Sequence, residues 1–204
     1  MSESPTTPSA EFSTPVTLTG SRVVLEPLSH EHADGLRAVV TEGDLHRTWY
    51  THIPAPDAVE AEIDRRLGLQ ARGEMAPWAV RRLDTGEVCG ATTFMAVRPA
   101  ARKLEIGSTF YAKSAQRTGI NTETKLLLLT RAFEELRCIA VEFRTHWHNH
   151  QSRAAIARLG AKQDGVLRNN DIWPDGSYRD TVVFSILDQE WPAARTDLRY
   201  RLQR

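Results

Sequence analysis

The amino-acid sequence predicts a single domain of mixed α/β class, and three features of its element order lead to that prediction. Strand patterns at 78–83 and 88–97, joined by hairpin residues, indicate antiparallel pairing early in the chain. A strand, a helix and a strand then follow without a hairpin turn, which predicts a right-handed crossover between parallel strands. A last hairpin closes the pattern. The absence of successive βαβ units excludes a doubly wound dinucleotide-binding fold.

One strand and two helices precede the first hairpin. The apolar run at 22–28 predicts the strand, and the composition of 30–40 is helical. Asp57 is a good N-cap residue, and apolar side chains recur at four-residue spacing after it, so a helix is predicted from there to about Arg72. The segment 45–56 between the two helices is aromatic and irregular.

The central crossover begins with the strand at 103–112, whose residues alternate in character. We expect two faces, with one set at Leu104, Ile106, Ser108 and Phe110 and the other at Glu105, Thr109 and Tyr111. A leucine-rich helix is predicted over 122–136, followed by an apolar, β-branched strand over 138–144.

The remaining chain contains a short helix and the closing hairpin. Asn149 is expected to cap a helix over 151–159, which Gly160 ends. The hairpin strands are predicted at 165–173 and 178–187, around the turn 174–177.

Three segments are predicted along the chain. The Ser/Thr/Pro-rich stretch 1–15 is expected to be a disordered tail. Residues 16–191 form the folded domain, and 192–204 are a C-terminal tail whose composition is compatible with a helix.

Composition and charge narrow the function classes. Basic and acidic residues number 26 each, without the basic excess of a typical nucleic-acid-binding protein. No apolar run approaches the ~20 residues of a membrane span, and the N-terminus lacks a signal-peptide pattern. Cys89 and Cys138 stand in apolar contexts typical of buried thiols in a reducing compartment. We therefore expect a cytoplasmic protein that binds neither nucleic acid nor membranes.

The segment Ser114–Thr122 lies between a predicted strand and a predicted helix. Backbone N–H groups at a helix N-terminus have no partner inside the helix, and the helix dipole favours anions there, phosphate above all. Gly119 is its only glycine, so the segment is neither a Walker A loop nor G-x-G-x-x-G, and a plain turn is the alternative. The helix start at Asn149 is expected at the same sheet edge, where α/β proteins usually bind ligands.

The run Gln116–Asn121 resembles the Q/R-x-x-G-x-G/A signature of the GCN5-related N-acetyltransferases, the GNAT superfamily. Other stretches resemble its RimJ/RimL-type branch, and the similarity runs from about Arg22 to Trp191. These stretches are Glu105-Ile106-Gly107, Thr122-Glu123 with the leucine-rich helix, Asn149–Ser152, Gly165–Arg168 and Arg179–Ser185. Asn121 departs from the signature, which usually has Gly or Ala there, and we expect it to cap the helix and donate to a phosphate oxygen.

The resemblance implies a GNAT fold, in which a single twisted, mostly antiparallel sheet has a central splayed parallel strand pair and helices on both faces. It also implies acetyl-CoA as the cofactor, with no metal. Loop N–H groups would hold the diphosphate, and the preceding strand would pair with the pantetheine arm as an added strand does. The implied cofactor residues are Phe110, Tyr111, Ala112, Gln116, Arg117, Thr118, Gly119, Ile120, Asn121, Thr122, Asn149, Ser152 and Arg153.

The implied reaction is direct transfer of the acetyl group to a neutral primary amine. An α-amino group, with a pKa of about 7.8, loses its proton far more readily than a lysine side chain, with a pKa of about 10.4. Glu105 is the candidate base, Ser152 the candidate acid for the CoA thiolate, and Asn149 would close the other side of the arm. A main-chain N–H near Phe110 would stabilise the oxyanion.

The acceptor is expected to be a protein N-terminus or a small-molecule amine, held by Trp49 and Tyr50. Two alternatives stay open. One is a catalytically silent acetyl-CoA-binding regulatory module of the same fold, and the other is a nucleotide-phosphate binder unrelated to CoA. A homodimer is common in this branch, although no sequence feature shows an interface.

The histidine-rich run 146–150 is interpreted as a loop between a strand and a helix. No cysteine or carboxylate cluster follows it at metal-ligand spacing, so a zinc site is not predicted.

Overall fold

The computed structural model describes residues 9–173 and 175–204. Eight strands form one sheet in the order β1-β2-β3-β4-β5-β6-β8-β7. They are β1 (Leu18–Thr19), β2 (Val23–Pro27), β3 (Ala76–Arg82), β4 (Val88–Arg98), β5 (Lys103–Tyr111), β6 (Ala140–His146), β7 (Lys162–Ile172) and β8 (Tyr178–Leu187). The α-helices are α1 (Ala33–Thr41), α2 (Val59–Ala71), α3 (Ile120–Thr130), α4 (His150–Ala157) and α5 (Trp191–Leu202).

The sheet is antiparallel except at its centre, where β5 and β6 run parallel and α3 connects them. Their described ladder contains three residue pairs, from Lys103↔Ala140 to Glu105↔Glu142. Beyond Glu105 the two strands part, and each continues along its other neighbour. The mixed fold and the splayed central pair that the sequence predicted are confirmed.

Helices cover both faces of the sheet. Arg66 of α2 lies over the Phe110 ring, 5.5 Å from its centroid, whereas Lys125 of α3 donates to the hydroxyl of the adjacent Thr109. Because successive strand residues point to opposite faces, α2 and α3 lie on opposite sides of β5. Helix α5 packs beside α3, and the Trp191 ring stacks at 5.4 Å on Phe133 in the π-helical turn Arg131–Glu135 that follows α3. No helix within 9–173 and 175–204 combines the length and apolar character needed to cross a bilayer.

A β-bulge interrupts β5 two residues before its end. The register runs Ala91↔Phe110 and then Thr93↔Gly107, so two residues of β5 oppose the single Thr92 of β4. The first of the two, Ser108, has a φ of +46°. An extra residue of this kind reverses the alternation of side chains beyond it.

The reversal corrects the predicted faces of β5. Glu105 and Phe110 lie on the same face, although a simple alternation placed them on opposite faces. Tyr111 shares the other face with Ile106. The prediction was wrong because the residue pattern of the strand does not show where an extra residue is inserted.

Helix α3 begins earlier than the sequence predicted. Its first residue is Ile120, and Gly119 is the N-cap with a φ of +88°, a conformation that favours glycine. Asn121 is therefore the second residue of the helix, and the expectation that it caps the helix is wrong. Its side chain still stands in the first turn, beside the free end of the helix.

Ordered structure begins within the segment predicted as a disordered tail. Ser9–Phe12 form a 3₁₀ turn, and the Phe12 side chain is buried in the core. Burial of the Phe12 ring explains why the segment Ser9–Phe12 packs against the domain. At the other end, 192–204 is largely the α5 helix, with Leu198 fully buried. Residues 1–8 and Pro174 of the last predicted turn lie outside the described residues.

Glu123 ties the start of α3 to the β1–β2 turn. Its buried carboxylate accepts hydrogen bonds from the backbone N–H groups of Ser21, Arg22 and Val23 at 2.9, 2.7 and 2.9 Å, and from the Ser21 hydroxyl. Gly20 makes room for it, since a Cβ there would lie 2.5 Å from the Glu123 carboxyl carbon. Burial raises the pKa of this carboxyl, but the hydrogen bonds outweigh that effect and leave the pKa below its usual value.

Glu123→Gln should lower the free energy of unfolding by about 2–4 kcal/mol at pH 7, because an amide nitrogen cannot accept the N–H groups that one carboxylate oxygen now receives. The group with the depressed native pKa stabilises the fold above its unfolded-state pKa and ceases to do so as the pH falls through the native value. The difference between the wild type and the variant should therefore shrink in acid. Urea titrations at several pH values measure it. Glu60→Gln, a change at an exposed carboxylate on α2, is the control; an equal loss in both variants would contradict the assignment.

Candidate active site

The loop between β5 and α3 presents a row of free backbone donors. The N–H of Gln116 is bonded to the Lys113 carbonyl, and that of Glu123 to the Gly119 carbonyl. Between them, the six N–H groups of residues 117–122 have no acceptor in the part of the chain that the structure describes. Positive φ angles at Arg117 and Gly119, +64° and +88°, shape this turn. Such a turn at a helix N-terminus is an anion-binding geometry.

A second helix start lies beside this loop, as predicted. Asn149 is the N-cap of α4, and its Oδ1 accepts the N–H of Ser152 at 2.9 Å. The Gln151 side chain donates to Oε1 of Gln116 across the gap at 3.3 Å. The Asn149 amide oxygen is thus engaged in capping. The half-buried Ser152 hydroxyl makes no hydrogen bond with any described residue.

The end of β5 exposes less backbone than predicted. The N–H of Ala112 donates to the Cys89 carbonyl at 2.9 Å, and its carbonyl accepts from Ala115 at 3.0 Å. The expectation that Ala112 pairs with the pantetheine arm therefore does not hold. Backbone groups alternate in direction along a strand, so Phe110 also faces β4, and Tyr111 faces the gap towards β6. The Tyr111 carbonyl is approached there by the Gln116 amide at 3.2 Å.

Glu105 occupies the point where β5 and β6 part, and it is buried. Burial raises its pKa to about 7, with nearby Glu142 adding to the rise and Arg144 opposing it. The Arg144 Nε lies 3.5 Å from the Glu105 carboxylate. Gly107 leaves room for this group, since a Cβ there would lie 3.0 Å from the Glu105 Oε1. A carboxylate with this pKa can exchange protons near neutral pH.

Two buried basic side chains contact the bulge from opposite faces. Arg66 donates from Nη2 to the Ser108 carbonyl at 3.2 Å, and its Nε pairs with Glu62 at 2.7 Å. Lys125 donates from Nζ to the Thr109 hydroxyl at 2.9 Å, and burial lowers its pKa to about 7. Neither residue is among the site residues predicted from the sequence. A lysine within a leucine-rich helix was the available signal for the second.

The irregular segment between α1 and α2 reaches the far end of this face. The Trp49 ring lies 5.1 Å from the His146 ring and 5.5 Å from the Tyr50 ring, and its residue is 58% exposed. The ring thus forms an open wall beside the end of β6 instead of packing in the core. His52 from the same segment approaches Trp173 at 4.1 Å.

The closing hairpin supplies residues that the sequence analysis did not assign to the site. Trp173 stacks on His146 at 5.9 Å, and the Arg179 guanidinium lies 5.3 Å from the Trp173 ring. Nδ1 of His146 accepts the N–H of His148 at 3.0 Å, so Nε2 carries the proton of the neutral ring. Burial, with Arg179 nearby, lowers the pKa of His146 and keeps that ring neutral at pH 7.

Arg153 is engaged elsewhere than expected. Its guanidinium lies over the Trp147 ring at 4.3 Å and donates to the Trp147 carbonyl at 3.2 Å. A phosphate contact would require it to leave this position. Across 9–173 and 175–204, no three His, Cys, Asp or Glu side chains are grouped to hold a metal ion.

Comparisons with known proteins agree with this geometry. A family model described as the acetyltransferase (GNAT) domain matches residues 22–162. YdaF of Bacillus subtilis (strain 168), provisionally named a ribosomal N-acetyltransferase, is 34% identical over 106 residues, which are 52% of this chain and 57% of YdaF. The chain is thus matched to little more than half the length of that relative.

Solved structures show the same fold. One provisionally named acetyltransferase, from T. thermophilus, is 37% identical, with a TM-score of 0.80 over 92% of this chain and 97% of that chain. RimJ of Mycobacterium smegmatis, solved with CoA-disulfide, is 22% identical, with a TM-score of 0.78 over 93% of this chain and 96% of RimJ. As its sequence predicted, the chain belongs to the GNAT family of N-acetyltransferases, and its similarity to YdaF supports the RimJ/RimL-type branch.

Proposed function

We propose that this enzyme transfers the acetyl group of acetyl-CoA to a primary amine by direct attack in a ternary complex. One observation carries the proposal: the loop of free N–H groups at 117–122 opens onto the same strand gap at whose closed end Glu105 lies. An anion site and a proton acceptor are thus joined by a cleft between two strands.

The residues of the cleft fit acetyl-CoA. The free N–H groups suit a diphosphate, and the Tyr111 N–H faces the gap where an amide-bearing arm would pair, whereas the Tyr111 carbonyl already accepts the Gln116 side-chain amide. RimJ of M. smegmatis, which shares this fold, was solved with CoA-disulfide. When bound, acetyl-CoA supplies an acetyl group activated as a thioester. The expected contacts from Phe110 and Ala112 are reduced to packing, because the backbone of both is directed to β4 or used within the loop.

Proton transfer is assigned to Glu105 and Ser152. An amine acceptor binds mostly as an ammonium ion and must lose one proton before its lone pair can form the C–N bond. Glu105 accepts that proton, directly or through water. The nitrogen loses a second proton once the C–N bond has formed, and one proton must reach the sulfur as the C–S bond breaks. The free Ser152 hydroxyl is the candidate relay, which gives its proton to the sulfur and regains one from the nitrogen. One ammonium and one thioester then give one amide, one thiol and the proton held by Glu105.

An α-amino group is the acceptor that this base suits. The pKa of Glu105, about 7, lies within about one unit of an α-amine and more than three units below a lysine side chain. Proton transfer to Glu105 therefore costs much less free energy from an α-ammonium than from a lysine side chain. We infer an acceptor with an α-amine, on a protein N-terminus or on a small molecule, beside Trp49 and Tyr50.

Glu105→Gln should lower kcat/KM by about 100-fold and leave the acetyl-CoA Kd within about twofold, because the amide cannot accept a proton. In the wild type, kcat/KM should rise with pH through an apparent pKa near 7 as Glu105 becomes ionised. The variant should lack that step. Thiol release measured from pH 5.5 to 9, with calorimetry for Kd, gives both quantities; identical pH profiles would remove Glu105 from the mechanism.

Glu142→Gln offers a matched change on the paired strand. The Glu142 carboxylate raises the pKa of Glu105, so its removal should shift the acidic limb of the kcat/KM profile to lower pH. The plateau above pH 8 should stay within about threefold of the wild type. A shift towards higher pH would contradict the electrostatic assignment.

Asn121→Asp should weaken acetyl-CoA binding by about tenfold, because it places a negative charge beside the diphosphate site. A negative charge in the first turn of α3 interacts favourably with the helix dipole, so the Tm of the free enzyme should not fall. Asn121→Ala restores a residue usual in the family signature and should bind like the wild type. Calorimetry and thermal melts distinguish the two effects. Unchanged affinity in Asn121→Asp would place the diphosphate elsewhere.

A further inference from the structure

Three hydrogen-bond donors lie unpaired at the hairpin end of the site. They are Nε2 of His146, Nε1 of Trp173 and Nε of Arg179, each buried and without an acceptor among the residues that the structure describes. His146 and Trp173 are 3% and 7% exposed, and Arg179 is half-buried with its Nε atom enclosed. Buried donors without acceptors are costly in a folded protein. Three of them in one cluster indicate a place for an oxygen-bearing ligand.

Arg179 is the charged member of this cluster. Its side chain forms no ion pair or hydrogen bond with any residue in 9–173 and 175–204. The Asp171 carboxylate stands opposite on β7 but accepts the backbone N–H of Ile172 at 2.8 Å. Asp171 and Glu105 act on Arg179 only through longer-range attraction. A partly buried guanidinium without an anion is poised to bind one.

Strand register places this cluster on the face of Glu105. Glu105 pairs with Glu142 of β6, and His146 lies four residues further on that strand and on the same face. His146 pairs with Thr181 of β8, and Arg179 precedes Thr181 by two residues. The base and the free donors therefore line one face of the sheet beyond the point where β5 and β6 part.

We propose that Arg179, with Trp173 and His146, forms a carboxylate-binding subsite for the acceptor, so that the preferred substrate is an amine with a carboxylate close to its reacting nitrogen. This inference rests on the proposed acetyl transfer to an amine. A guanidinium binds a carboxylate through two parallel hydrogen bonds, and the Trp173 ring beneath it fixes its plane. The Nε2–H of His146 is a further donor for the same oxygens.

The subsite also predicts what is rejected. A polyamine or an aminoglycoside would bring more positive charge beside Arg179 and leave all three donors unpaired. Trp49 packs on His146 in this structure, so we expect its ring to move aside when the acceptor enters.

Two kinds of acceptor carry the required group. In a free amino acid the α-carboxylate is adjacent to the amine, and in a peptide an acidic second residue supplies it. Matched pairs separate them: an amino acid against its amide, each compared per neutral amine because the α-carboxylate raises the amine pKa, and Ser-Asp against Ser-Asn peptides with amidated C-termini. The preference of the enzyme is the ratio of kcat/KM within each pair, measured by thiol release.

The wild type should favour the carboxylate member of one pair by at least about tenfold. Arg179→Gln should reduce that ratio to within twofold of unity, by raising KM for the carboxylate member and leaving the neutral member within about twofold. The control is Arg168→Gln, which removes one positive charge from the same hairpin. Arg168 is exposed and already paired with Asp180, so the preference should persist. Equal losses for both members in Arg179→Gln, or no preference in the wild type, would overturn the subsite.

A binding experiment separates failure of the subsite from failure of the proposed reaction. Calorimetry titrates the carboxylate member and its neutral partner into wild type and Arg179→Gln, each saturated with acetyl-CoA. Tighter binding of the carboxylate member that depends on Arg179 supports the subsite even if no acetyl transfer is detected. Acetyl transfer with equal binding of both members would retain the function and reject the subsite.

Discussion

The bulge at Ser108–Thr109 is the constraint on which the site depends. Without the extra residue, the Phe110 side chain would point to the face that α3 covers, and the Tyr111 side chain would point to the opposite face. The insertion puts Phe110 on the face of Glu105 and under α2. A bulge also bends its strand, and the parallel ladder of β5 with β6 stops after Glu105, three residues before the bulge. One extra residue therefore sets the direction of the side chains beyond the point where the two strands part.

Two buried basic side chains contact that bulge. Arg66 and Lys125 approach it from opposite faces, and only Arg66 has a carboxylate partner, Glu62. Burying Lys125 against two threonine hydroxyls opposes its ionisation and costs stability compared with an apolar residue. Burial likewise disfavours the charged forms of Glu105 and Arg179, and neighbouring charges offset this cost less than they would in a purely structural ion pair. Titratable groups with perturbed pKa values therefore lie on β5, on β8 and on helix α3. Such groups characteristically cluster at active sites.

The sequence predicted those parts of the fold that depend on local signals. Asn149 caps α4 because its side chain reaches the N–H three residues later, and such a contact can be inferred from one short segment. The faces of β5 were wrong because the bulge is set by β4, by Arg66 and by Lys125, all distant in sequence. The acceptor of the Ser21–Val23 N–H groups, Glu123, lies 100 residues or more away along the chain. No local pattern contains that contact.

The two proposed binding regions of the cleft offer different kinds of groups, and this difference decides what a sequence comparison can transfer. The loop at 117–122 offers backbone N–H groups, so the conformation around Gly119 matters more than the side chains beside it, and a family signature describes it well. The acceptor region that we propose offers the side chains of Trp49, His146, Trp173 and Arg179, drawn from three separate segments. Under this proposal the family signature accounts for the acetyl donor, whereas the acceptor must be inferred from the geometry of these side chains in this chain.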